Sequence, residues 1–179
     1  PQGIKTSDQN YQFDYIIYAT GFDAVLGAFN RIDFRGVDGA ALKDKWADGP
    51  RTFLGMQVEG FPNMFTLVGP HNAATFCNIP RCIEQNVEWI TKLFRHMKAE
   101  GHTSVDVEKE AEDEWTEHVH ETSERMLFTK VDSWFMGINP NLKGRDTRKF
   151  LLYAGGAPQY NKMCDEVTAS GYKGLTFSA

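Results

Sequence analysis

The sequence predicts an α/β fold, and three stretches carry that prediction. Residues 15–19 read Tyr-Ile-Ile-Tyr-Ala and run into Thr20 and Gly21. A β-branched and aromatic run that stops at a glycine turn is the pattern of a buried strand. Residues 61–70 form a second apolar run, bounded by Gly and Pro at both ends. From residue 78 the apolar period changes to steps of three and four, with Ile83, Val87, Ile90, Phe94 and Met97 on one face of a helix.

Taken in order, Tyr11 to Thr20 is the first expected strand. Arg31 to Arg35 alternates polar and apolar residues and leads into Gly36 and an Asp38-Gly39 turn. The run at 61–70 is the second buried strand, expected in the same sheet as the first. The helix after it has Pro80 in its first turn and Gly101 as its C-cap. A second helix is expected to follow at once, with Thr103 and Asp106 as a capping box and Val107, Ala111, Trp115, Val119, Thr122 and Met126 as its stripe. The two helices would form a central antiparallel hairpin. Residues 130–149 are rich in Gly, Asn, Pro and Arg and predict a long irregular loop, of the kind that is usually functional. A strand at 150–153, a Gly155-Gly156 turn, a helix from 158 to 170 and a strand at 175–177 close the chain.

Composition narrows the function classes. The 179 residues are 41% hydrophobic and carry a net charge of −5, so the long-range field repels phosphate backbones and anionic lipid. Nucleic acid and membrane are therefore not expected as partners. No apolar run approaches the roughly 20 residues that span a bilayer, and no signal-peptide pattern opens the chain. An odd count of three cysteines predicts reduced thiols and a cytoplasmic protein. The chain begins at Pro1 and enters its first strand after about a dozen residues, which suggests a cut inside a longer protein.

Three places could carry chemistry. A strand end with small residues, as at Ala19, Thr20, Gly21 and Phe22, is how an α/β sheet brings backbone close to a nucleotide, yet no G-x-G-x-x-G fingerprint accompanies it. The alternative is an ordinary strand end. Residues 69–80 run through a Gly-containing loop into a helix start at Asn78, Ile79 and Pro80, which offers N–H groups and a dipole to an electron-rich carbonyl or anion. The alternative is a plain Asn cap. Trp134, in its irregular loop with Asn139 and Lys143, could cover an apolar ligand edge while donating one hydrogen bond, or could simply plug a core gap. Glu114 and His118 share a helix face without matching metal ligands, and no metal site is expected. Cys77 and Cys82 lie beside the helix start and could be reactive thiols if the helix dipole activates them, with core or pocket-wall packing as the better reading.

Several runs resemble one family together. Ala19-Thr20-Gly21-Phe22-Asp23-Ala24, Phe61-Pro62-Asn63 with Gly69-Pro70, and Ser133-Trp134-Phe135-Met136-Gly137-Ile138-Asn139 resemble the C-terminal part of the Baeyer-Villiger monooxygenases in order and spacing. Leu42 to Trp46, Gly49 to Gly55, Ile83 to Ile90 and Tyr172 to Gly174 agree. The resemblance implies the C-terminal part of a fold with two dinucleotide domains binding FAD and NADP(H), and a reaction of NADPH, O2 and a ketone that gives an ester or lactone. It implies residues 1–24 as a crossing segment from the NADP side, 25–102 as the C-terminal part of the FAD domain, and 103–179 as a helical cap whose loop 130–149 lies beside cofactor. Ala19, Thr20, Gly21 and Phe22 would lie against the cofactors, Asn78, Ile79 and Pro80 would face the flavin pyrimidine, and Trp134 would close over NADP with Asn139 and Lys143 in support. His71 departs from the small residue of the commoner pattern. No catalytic residue is expected in this chain, because the catalytic Arg and both fingerprints should lie upstream, in a missing N-terminal part of the same enzyme. The isolated chain would then be inactive. The rivals are a flavin monooxygenase acting on amines or sulfides, and a non-enzymatic binding domain.

Overall fold

The computed structural model describes residues 2–72, 78–142, 144 and 146–179. The chain opens with a small antiparallel hairpin of β1 (Gly3–Lys5) and β2 (Asn10–Gln12), closed by a turn in which the Thr6 N–H donates to the Gln9 carbonyl over 2.9 Å. Short helices α1 (Gly27–Arg31) and α2 (Leu42–Lys45) flank a turn at Val37–Gly39, where the Asp-Gly signal stood. The long α3 (Ile79–Glu100) leads to β3 (Ser104–Val107), then α4 (Lys109–Ser123), α5 (Ala157–Ala169) and β4 (Leu175–Ser178).

The start and stop signals of α3 act as read: Pro80 lies in its first turn and Gly101 takes a left-handed conformation at φ 77° that ends it. Its buried face differs by one step from the expected stripe. Cys82, Asn86, Trp89, Ile90, Leu93 and Met97 point inward, whereas Ile83, Val87 and Phe94 are exposed. Trp89 settles the rotation, because its indole N–H donates to the Cys164 carbonyl on α5 over 3.1 Å.

The expected capping box is a strand instead. Val105 and Val107 alternate into the core with period two, and Ser104 to Val107 pair antiparallel with Ser178 to Leu175. α4 therefore starts six residues after Thr103, and α3 and α4 are joined through β3 rather than following at once. Asp106 serves the fold differently, its carboxylate accepting from the Gly60 and Val107 N–H groups. The helix from Ala157 and the closing strand lie where the sequence put them.

The two expected buried strands of the first segment do not form. Apart from half-buried Ile16, residues 15–22 run exposed, with Tyr15, Ile17, Tyr18 and Phe22 all open and Phe22 97% exposed, since no neighbouring strand among the described residues takes up their hydrogen bonds. Residues 61–70 fail for another reason. Asn63 and Val68 adopt positive φ, and the N–H groups scatter, Asn63 to the Val105 carbonyl, Thr66 to the Met56 carbonyl and Val68 to the Asn86 side chain, while Phe61 and Met64 donate within local turns. Phe150 to Tyr153 are buried and irregular, bonded singly rather than in a ladder.

One continuous core runs from Leu26 through Met56, Leu93, Val119 and Leu151 to Leu175. A buried carboxylate sits at its edge: Glu112 accepts the Glu59 N–H at 2.8 Å and pairs with Lys45 at 3.1 Å. Burial pushes its carboxyl upward, against the Glu59 N–H and the Lys45 charge. Of the cysteines, Cys164 is a free, buried thiol and Cys82 is disulfide-bonded, so the expectation of reduced thiols is corrected at Cys82; Cys77 lies outside the described residues. No described helix is long and apolar enough to cross a membrane.

Candidate functional site

The approach to α3 is anchored from both sides by buried polar groups that the sequence did not advertise. His71 is fully buried at φ 62°. Its Nε2 lies 3.2 Å from the Phe150 carbonyl, which can only accept, so that nitrogen carries the proton and Nδ1 accepts from the Thr52 hydroxyl at 3.3 Å. Burial, reinforced by the neighbouring His120, holds its pKa at about 3, so the ring is neutral at physiological pH. The next residue, Asn72, donates to the Asn86 carbonyl oxygen at 3.2 Å and to the Tyr160 hydroxyl at 2.9 Å. Tyr160 in turn donates to the Leu54 carbonyl at 2.7 Å. Asn86 was the available signal: an amide on the buried face of a helix needs partners, and its spacing from Cys82 and Trp89 put it there.

The Trp134 loop is stitched to this approach. Ser133 precedes a single 3-10 turn at Trp134–Met136, ended by Gly137 at φ 70°. The Leu151 N–H donates to the Phe135 carbonyl at 3.0 Å, and the Leu151 carbonyl accepts from the His71 N–H at 2.9 Å. A single residue thus joins the Trp134 turn to the segment that feeds α3. Trp134 stays 49% exposed, its ring beside Phe135 at 4.2 Å. Asn139 shapes the loop by accepting the Asn141 N–H on its side chain and the Leu142 N–H on its carbonyl. Beyond Trp134 a surface cavity of about 540 Å³ is lined by Asp132, Ile138, Asn139 and Leu142.

The first turn of α3 is open. Asn78, Ile79 and Pro80 are exposed, Asn78 makes no side-chain cap bond, and its carbonyl accepts from the Cys82 N–H at 3.1 Å. The plain Asn cap is therefore not what forms. An uncapped N-terminus on a 22-residue helix presents donors and a positive dipole end outward. The loop through Cys77 and the side chain of Lys143 lie outside the described residues.

Ala19, Thr20, Gly21 and Phe22 stand apart. All four are exposed, Gly21 has φ 77°, and among the described residues no hydrogen bond joins them to α3 or to the Trp134 turn. Glu114 and His118 gather no metal set; among the described residues no group of three potential ligands occurs. His118 instead meets the Tyr153 hydroxyl at 3.0 Å.

No protein-family model matches the chain. It is 45% identical over 175 residues to the 2-oxo-Delta(3)-4,5,5-trimethylcyclopentenylacetyl-CoA monooxygenase of Pseudomonas putida, covering 98% of this chain and 32% of that protein. It is 37% identical over 176 residues to a Baeyer-Villiger monooxygenase of Pseudooceanicola batsensis, covering 98% of this chain and 31% of the relative. The crystal structure of OTEMO in complex with FAD and NADP superposes with a TM-score of 0.86 at 43% identity, over 99% of this chain and 32% of that one. The chain thus spans about a third of the length of the proteins it matches. Over nearly all of its own length, it matches the C-terminal part of the Baeyer-Villiger monooxygenases.

Proposed function

We propose that the complete protein carrying this chain is a Baeyer-Villiger monooxygenase that uses FAD, NADPH and O2 to convert ketones to esters or lactones. The observation that carries the proposal is the match over 98–99% of the chain to flavin monooxygenases, one of them in complex with FAD and NADP. In this reading residues 1–24 cross from the NADP side, 25–102 complete the FAD domain and 103–179 cap it.

The residues present fit such cofactors. The open first turn of α3 at Asn78, Ile79 and Pro80 suits an electron-rich carbonyl edge, because the Asn78 side chain does not cap its amides. Trp134, half exposed on a turn held from behind by Phe135 and Leu151, suits the covering of a flat apolar edge. Asn139 and Lys143 belong to the same NADP-side loop, and Ala19, Thr20, Gly21 and Phe22 supply small residues and one ring for close packing by the remainder of the polypeptide. When bound, the flavin and the nicotinamide supply the redox chemistry. This chain's part is to orient them and to exclude water: the α3 amides stabilise negative charge, the Trp134 indole seals the pocket, and neutral His71 holds the approach to α3 without adding a charge. The catalytic Arg belongs to the preceding part, and the cytoplasm, where NADPH is regenerated, is the matching compartment.

The experiment is ketone-dependent NADPH consumption by the complete, FAD-loaded protein, with the product identified by mass spectrometry. An ester or lactone one oxygen heavier than the ketone is expected. Oxidation of a thioether or an amine in preference to every ketone tried would replace this reading by the heteroatom one.

A further inference from the structure

His71 grips the back of the Trp134 turn twice. Its main-chain N–H donates to the Leu151 carbonyl at 2.9 Å, and its Nε2–H donates to the neighbouring Phe150 carbonyl at 3.2 Å. The segment so held carries the turn: the Leu151 N–H donates to the Phe135 carbonyl at 3.0 Å and the Lys149 N–H to the Met136 carbonyl at 2.8 Å. A second route runs through rings. Phe150 stacks on Phe128 at 5.6 Å, Phe128 meets Phe135 at 5.5 Å, and Phe135 lies against the Trp134 indole at 4.2 Å. On its other side His71 is anchored to elements outside the turn. Thr52 holds Nδ1 at 3.3 Å, and Asn72, one peptide bond away, is tied to Asn86 on α3 and Tyr160 on α5.

We propose that His71 is a positioning residue for the Trp134 indole, setting through Phe150 and Leu151 where that ring stands over bound NADP(H). The inference rests on the reading of Trp134 as the residue that covers NADP, and adds the part that places it. His71 is fully buried and acts through the turn. A single 3-10 turn with a half-exposed Trp134 has little of its own to fix the angle of the indole. One bond from His71 would let residues 149–151 pivot, whereas two directional bonds to consecutive carbonyls fix their orientation as well. An indole laid on a flat ring holds it only where the two planes meet, so a small misplacement is felt in affinity. The main-chain bond to Leu151 survives any substitution. The side-chain bond to Phe150 is the one that a variant removes.

The test is the dissociation constant of NADP+ for the complete, FAD-loaded protein, by calorimetric titration without ketone, with Trp134→Ala setting the scale. His71→Asn keeps an acceptor for Thr52 but is too short to reach Phe150. It should weaken NADP+ about three- to tenfold, the size of one neutral hydrogen bond. His71→Gln, whose amide nitrogen reaches the place of Nε2, should restore the affinity to within about twofold. In the Trp134→Ala background His71→Asn should add nothing, because effects that run through one side chain do not add. Thr52→Val, which removes only the donor to Nδ1, carries the same comparison if His71→Asn does not fold, with a loss of about twofold that Trp134→Ala abolishes. Unchanged affinity in His71→Asn, equal losses in the Asn and Gln variants, or a full further loss on top of Trp134→Ala would each overturn the inference. Trp134→Ala effective with His71→Asn silent overturns it alone; Trp134→Ala silent overturns the reading of Trp134 as well.

Discussion

The hydroxyl of Tyr160 on α5 donates to the carbonyl of Leu54 over 2.7 Å, and Leu54 is itself held at φ 54°. The same oxygen accepts from Asn72 and Asn86, so one atom ties three segments that are far apart in sequence. Tyr160→Phe keeps the ring but strands all of these groups in the core. The expected cost is about 2–4 kcal/mol, read as a drop in the denaturant midpoint of the complete protein with an unchanged m-value. A loss under 0.5 kcal/mol would show that the network carries no stability.

His71 makes stability depend on pH. Its folded pKa of about 3 lies below its ordinary value of 6.5, so the unfolded chain binds the extra proton first. The contribution is complete above pH 6.5 and is lost as pH falls toward 3, at about 1.4 kcal/mol per pH unit inside that window. Glu112 and Asp106, both held above their ordinary values by burial, act in the opposite direction as pH falls. His71→Asn tolerates the positive φ and removes the titrating ring. Wild-type and variant melting temperatures should therefore diverge at pH 7 and converge by pH 4.

Gly55 guards the same spot from below. It has φ 63°, and a Cβ added there would lie 2.6 Å from the His71 carbonyl oxygen and 2.8 Å from the Asn72 nitrogen. These are backbone atoms, so the approach to α3 must shift. Gly55→Ala should cost about 2–4 kcal/mol from strain and overpacking together and should also loosen FAD, measured as flavin released on desalting. A fully flavinated variant of normal stability would contradict this geometry.

Trp134 separates function from stability. At 49% exposed, its loss should change unfolding free energy by no more than about 0.5 kcal/mol. Trp134→Ala should nevertheless raise KM for NADPH and increase NADPH consumption that yields no ester. Unchanged coupling and unchanged KM would return Trp134 to a packing role.

The run Tyr15, Ile17, Tyr18 and Phe22 predicts how the 179-residue chain behaves alone. So much apolar surface on a single strip is an association liability. The isolated chain should bind a hydrophobic dye, self-associate and show no NADPH-dependent ketone oxidation. Ile17→Lys with Tyr18→Lys should reduce that association while impairing the complete protein.

Legibility in the sequence followed locality. α3 and α5 were readable because Pro80, Gly101 and the Gly155-Gly156 turn act on their own neighbours. β3 was misread as a cap because Thr103 and Asp106 fit both patterns and only pairing with β4, some 70 residues on, decides between them. The strand expected at 11–20 overlaps only the end of β2, and beyond it was legible as an apolar strip but not as a strand, since a strand exists only with a neighbour. The site followed the same division. Trp134 and the helix start at Asn78 could be picked out singly, whereas His71, Asn72 and Leu151 matter through partners about 80 residues away.

Leu151 works as a shared pivot. Its N–H holds the Trp134 turn and its carbonyl holds His71, through the two ends of one residue. A displacement of the Trp134 turn therefore pulls on the peptide unit that holds His71, and a shift of His71 is returned to the turn, over a span of two hydrogen bonds.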